Sequence, residues 1–166
     1  MTVKIMRDGT ANLAKSIKAL TSMQVLVGIP ADNAFRPIVT DPDQKEPVNN
    51  ALLGYVHEYG SPANNIPPRP FLIPGIDSVR KQIAARLRAV AKKALTQAVD
   101  DKELHVVGLI AMTAVKKKIV NGSFAPLKEE TVYRRQHRKI APRQGDKPLI
   151  DTAQLLNAVT YVIRKA

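Results

Sequence analysis

The chain has 166 residues, with 26 Lys and Arg against 14 Asp and Glu and a formal net charge of +12. It has no cysteine and no tryptophan, which excludes disulfides and thiolate metal sites and leaves an aliphatic core of Leu, Ile, Val and Ala. A hydrophobic content of 45% sets it apart from disordered chains, and the length suits one domain, residues 1–166, burying roughly 70% of its unfolded surface.

In chain order, TANLAKSIKALTSM places Leu13, Ile17 and Leu20 at helical spacing, with Thr10 or Asn12 as candidate cap. MQVLVGIP reads as a short valine-rich strand closed by Pro30. Residues 31–47 look irregular, and a loop of that length is expected to be mobile in the free protein and ordered by a neighbour. VNNALLGYVHEYG reads as a short helix capped by Asn49 or Asn50. Its apolar stripe is Leu52, Leu53, Val56 and Tyr59, and Gly60 supplies a left-handed end.

Residues 61–75 then carry Pro62, Pro67, Pro68, Pro70 and Pro74. Proline fixes φ and removes a backbone donor, so this segment is neither helix interior nor central strand. It reads as a stiff arm made of Ile66, Pro67, Pro68, Arg69, Pro70, Phe71 and Leu72. Either it docks on another chain, with Arg69 and Phe71 as anchors, or Phe71 and Leu72 cap the chain's own core. Docking is the expectation carried forward, because a pre-stiffened segment loses little entropy at an interface.

The longest helix is expected from Ile76 to about Ala98, with a stripe of Ile76, Val79, Ile83, Leu87, Val90, Ala94, Leu95 and Ala98. Asp77 and Ser78 suit its start. Arg80, Lys81, Arg88 and Lys92 lie mostly off that stripe, as do Arg86 and Lys93. After the break VDDKE, a second helix spans Asp101 to Val120 with Leu104, Val107, Gly108, Ala111, Val115 and Ile119 on one face, ended by Asn121–Gly122. A polar helix is expected within 128–140, carrying Arg134, Arg135, His137, Arg138 and Lys139. An exposed basic loop follows at 141–148. Asp151 or Thr152 then caps a short helix through Leu156. AVTYVIR alternates as a strand that pairs with QVLVGI. The fold class is therefore α+β: a long antiparallel helix pair on a small, mostly antiparallel sheet, with a proline arm and a long loop.

No catalytic site emerges. His57–Glu58 lacks the second His four residues on that a zinc-protease helix needs, since position 61 is Ser. His105 and His137 have no ligand neighbours in sequence. Ser61, Ser78 and Ser123 carry no activation signature. Asp41, Asp43, Glu46, Asp100, Asp101, Glu103, Glu129 and Glu130 show no pairing across a pocket. Neither catalytic nor metal residues are expected, no cofactor, and no enzyme activity. A pI near 10.1 points to a polyanionic surface or an acidic protein partner, or to a plainly solvated basic face. Arg80, Lys81, Arg88, Lys92, Arg134, Arg135, Arg138 and Lys139 are the candidate contacts to a DNA channel or an acidic partner. Few aromatics interleave with them, so base stacking on single strands is not expected. No apolar run approaches the ~20 residues of a membrane span, and MTVKIMRDGT lacks the apolar core of a signal peptide.

Two stretches, LLGYVHEYGSPANNIPPRPFL (52–72) and PLIDTAQLLNAVTYVIR (148–164), the latter preceded by PLKEETVYRRQHR, carry a resemblance. Together and in this order they resemble the neck, tail-completion or virion-morphogenesis proteins of tailed bacteriophages, over roughly the last two-thirds of the chain. That family often has Gly where this chain has Ala153. The resemblance implies a structural protein made in the host bacterial cytoplasm and carried in the virion neck. There it would form a ring, commonly six-fold, that continues the DNA channel between head and tail. The implied partners are further copies of itself, portal-side adaptor proteins, tail terminator or tail tube proteins and, transiently, genomic double-stranded DNA. A tail terminator or minor tail protein is the near alternative. A non-specific basic nucleic-acid-binding protein is the alternative of another class.

Overall fold

The computed structural model describes residues 10–36, 49–94 and 101–165. Strands β1 (Met23–Gly28) and β2 (Thr160–Lys165) form a two-stranded antiparallel sheet, with Val25 opposite Ile163 and Val27 opposite Tyr161. Alternation puts Val25, Val27, Tyr161 and Ile163 on one face and Gln24, Leu26, Val162 and Arg164 on the other. This is the pairing that the two alternating sequence stretches imply.

Helix α5 (Asp101–Asn121) packs on the sheet. Each residue of its expected stripe is buried, and Ala114 joins them. Gly108 is what lets strand and helix approach, because a Cβ there would stand 2.2 Å from Tyr161 Cδ2. The Tyr161 hydroxyl reaches His105 Nδ1 at 3.1 Å across the same contact.

The helix expected to begin at Ile76 is two helices, α3 (Leu72–Asp77) and α4 (Arg80–Ala94). Ser78 breaks the run. Its hydroxyl donates to Gly75 O at 2.6 Å, and a serine bonded to the preceding turn competes with helix continuation. The expected stripe beyond Ala94 lies outside the described residues, and α5 is the longest helix among them. Gly75 of α3 lies against Val115, while Lys93 near the end of α4 meets Glu103 at 2.5 Å. The α3–α4 path therefore runs antiparallel to α5, and the α+β class holds.

The core joins Phe71, Val115, Ile119, Leu149, Ile150, Leu155 and Val159. Phe71 is the single aromatic among the buried hydrophobics of the described residues, as the composition required.

Smaller expectations divide. Helix α1 (Thr10–Thr21) forms, but Asn12 sits inside it rather than capping it, and Ile17 is exposed. Of loop 31–47, residues 31–36 form a short 3-10 turn and an irregular segment. The rest of that expectation lies outside the described residues. Asn49 caps α2 (Asn50–Tyr59), its side chain accepting from Leu52 N at 2.7 Å. The stripe expected on α2 holds only in part: Leu53 and Val56 are half-buried, but Leu52 and Tyr59 are exposed, and the fully buried positions are Asn50, Gly54 and Glu58. Gly60 does take a positive φ, but at φ 80°, ψ 175° it is extended rather than left-handed helical. Helix α6 (Glu129–His137) is shorter than expected.

Asp151 and Thr152 do not cap the last helix. Helix α7 (Gln154–Ala158) begins after Ala153, and Asp151 instead takes two hydrogen bonds from Arg138. Ala153 stands at φ 59°, ψ 6°, a left-handed conformation that costs a non-glycine residue about 1 kcal/mol. Ala153→Gly is therefore expected to raise stability by about 0.5–1 kcal/mol, a gain in melting temperature of roughly 1–4 °C by calorimetry. A fall in melting temperature would show that the methyl's packing against the core outweighs the backbone strain.

Candidate functional site

The proline arm is built into its own fold. Ser61 and Ile66 close a small bridge, with Ser61 N to Ile66 O at 2.9 Å and the reverse bond at 3.0 Å. Arg69 N donates to His57 O at 2.6 Å, which ties the arm back onto α2. The Arg69 guanidinium donates to Ala125 O at 2.7 Å and Pro126 O at 2.9 Å, and the residue is 5% exposed. Phe71 is 2% exposed in the core.

Glu58, itself buried, reaches from the end of α2 under the arm. Its carboxylate accepts from Phe71 N (2.8 Å), Leu72 N (2.8 Å) and Ile73 N (3.0 Å). These are the donors left open at the start of α3. Pro70 and Pro74, which have no N–H, bracket these three donors.

The expectation that Arg69 and Phe71 anchor another chain is therefore corrected. A guanidinium 5% exposed and held by two backbone carbonyls, and a phenyl ring inside the core, are placed as internal ties rather than as projecting anchors. Leu72 likewise packs against the core. Pro67, Pro68 and Pro70 remain exposed, and Ile66 is half-buried. Pro67, Pro68 and Ile66 line a groove of about 870 Å³, with Leu127, Thr131 and Arg134 opposite.

The basic residues also divide. Arg80, Lys81, Arg86, Arg88, Lys92 and Lys93 are exposed along α4, a helix that contains no acidic residue. Arg80 pairs with Asp77 at 2.6 Å on the open surface. Residues 84–89 are all exposed, Leu87 among them at 40%. More than one full turn of α4 thus has every side chain at least partly open to solvent.

Arg134 and Lys139 are exposed as expected. Arg135 and Arg138 are instead turned inward onto groups of their own chain rather than presented on an open basic face. Arg135 donates to Lys147 O (3.1 Å) and Pro148 O (3.2 Å). Arg138 holds Asp151 in a two-point bond at 2.7 and 2.8 Å and also donates to Ala141 O. Arg143 donates to Asp151 O at 3.0 Å. The planar guanidinium fork suits such carbonyl and carboxylate partners, and here it pins the 141–148 loop to α6.

His57 sits at the meeting point of arm and cluster. Burial pushes its imidazole down to about 4 from the ordinary 6.5, and the charges of Arg69, Arg135 and Arg36 push the same way. Burial alone would raise the Asp151 carboxyl. The Arg138 hydrogen bonds and the charges of Arg135, Arg138 and Arg36 outweigh that and hold it below 3.8. Both folded pKa values are depressed, so the unfolded chain binds protons first as pH falls. Stability present at pH 7 is then lost between about pH 6.5 and 4 through His57, and below about 4 through Asp151. A loss of about 2–3 kcal/mol between pH 7 and 4 is expected from His57. Urea unfolding across that range checks it. His57→Gln should flatten the dependence, and an unchanged slope in that variant would assign it elsewhere.

Among the described residues no group of three or more His, Asp or Glu could hold a metal ion, and no helix is long and apolar enough to cross a membrane. No family model matches the chain, and no curated protein or solved structure is significantly similar to it.

Proposed function

We propose that the chain is a structural virion protein of the tailed-phage neck, a ring subunit that joins the DNA-filled head to the tail and continues the DNA channel. The sequence resemblance supplies the identity of the assembly, and one structural observation supports the need for one. The middle of α4, residues 84–89, has every side chain at least partly exposed while carrying Leu87 and basic residues. A helix of this length gains most of its stability from packing, and a neighbouring copy would provide it. Head-to-tail contacts of this kind close into rings when the rotation allows. The acid-free face of α4 would then meet an acidic neighbour or line the DNA passage, with contacts weak and salt-sensitive enough to let DNA leave.

With the arm held internally, α4 replaces it as the contact surface. Leu87→Asp is expected to cost about 1–2 kcal/mol of unfolding stability, from lost partial burial and lower helix propensity, while leaving the chain folded, and to abolish ring formation on heads or tails. Electron microscopy of reconstituted particles beside a denaturation curve reads both. Rings formed normally by this variant would remove α4 from the contact.

The same basic helix favours a second reading, a non-specific duplex-binding protein. That reading requires affinity of the isolated chain for DNA that falls steeply with salt.

A further inference from the structure

A second site lies apart from α4. Between α2, the α6 region and the start of α7 is a cleft of about 170 Å³, lined by Arg36, His57, Arg135, Asp151, Thr152 and Gln154 among others. Its charge is unbalanced. Asp151 is the one carboxylate in the lining, and it is already occupied by the two-point bond from Arg138, which approaches from outside the lining. The lining thus sets two guanidiniums, Arg36 and Arg135, against a single carboxylate that Arg138 also shares.

Their hydrogen bonds point the same way. Arg36 Nη1 donates to Asn50 Oδ1 at 3.0 Å, and among the described residues no acceptor takes its Nε or Nη2. Arg135 Nε stands 3.9 Å from Asp151, beyond hydrogen-bond reach. His57 Nδ1 is buried with no hydrogen-bond partner. Buried polar groups are seldom left unpaired, so this nitrogen on the cleft calls for a partner that the described residues do not supply. Burial also lowers the pKa of both Arg36 and Arg135, the response of cations removed from water without full compensation.

We propose that this cleft binds a small oxyanion, phosphate being the type, held by the guanidiniums of Arg36 and Arg135 with His57 Nδ1–H as a third donor. Guanidinium forks match the paired oxygens of such an ion. The phosphate could be a free ion or part of a nucleic-acid backbone, and the experiment separates the two.

Amide and side-chain NMR of the full chain is recorded while inorganic phosphate is added, with chloride at matched ionic strength as control. A short DNA duplex is titrated in a parallel sample. Saturable phosphate shifts concentrated at Arg36, His57 and residues 151–154, and absent with chloride, are expected. Arg36→Gln should weaken phosphate binding at least tenfold, while Arg134→Gln, an exposed cation outside the cleft, should leave it unchanged. If the duplex moves the same cleft signals and competes with phosphate, the ligand's source is the nucleic-acid backbone. If phosphate gives no saturable shifts, or shifts spread along α4 as chloride does, the proposal is overturned. If Arg36→Gln does not fold, the wild-type shift map decides alone.

Discussion

Glu58→Ala is expected to lower unfolding stability by about 3–5 kcal/mol, because it strands three backbone donors at the start of α3 in a place where water reaches poorly. The Phe71, Leu72 and Ile73 N–H groups all point at this one carboxylate. A charged acceptor at a helix start is worth more per bond than a neutral one. Glu58→Gln keeps the shape but turns one acceptor oxygen into a donor facing N–H groups. It should lose a substantial part of the same amount. The check is chemical denaturation of both variants, where the alanine change should move the urea midpoint by about 1–2 M. A midpoint within experimental error of the parent would mean that the arm carries no such dependence on Glu58.

Phe71→Ala is expected to cost about 3–5 kcal/mol, the range for emptying a buried phenyl site. Phe71 is packed with Val115, Leu155 and Val159, and α3 already lies against α5 where Gly75 meets Val115, which limits collapse into the cavity. This reverses what the sequence suggested, where an aromatic beside an arginine in a proline-rich arm looked like an anchor for another chain. The two outcomes are separable. Unfolding of the isolated chain at low denaturant supports the internal role, whereas normal stability with failed assembly would return Phe71 to the interface.

The fate of the arm shows what the sequence can and cannot carry. Period-3.6 burial on α5 and period-2 alternation on the two strands were legible because each residue's neighbours lie within its own element. The arm's stiffness was legible too, since proline acts on its own φ. Its destination was not, because that depends on Glu58, 13 positions before Phe71, and on carbonyls of Ala125 and Pro126, 56 and 57 positions after Arg69. A clue did exist: three consecutive donors bracketed by Pro70 and Pro74, just beyond a helix ending in a carboxylate.

Arg135 and Arg138 make the same point for charge. In sequence they belong to a run of cations indistinguishable from Arg134 and Lys139. Only the return of the chain at Asp151 and Pro148 turns two of them inward. The basic face of α4 stayed legible because nothing acidic lies on that helix, so the pairs its cations do make, Arg80 with Asp77 and Lys93 with Glu103, leave them on the surface. The cleft around Arg36 was not legible, as it is assembled from four separate stretches of the chain.

The central claim is that the chain works as a joint between head and tail. Electron microscopy of the lysate from a phage whose copy of this gene carries a stop codon tests it most directly. The account predicts DNA-filled heads lying apart from finished tails, with joining restored when the protein is supplied in trans. Complete particles with heads and tails attached would contradict it, and would leave the salt-dependent duplex-binding reading of α4 in its place.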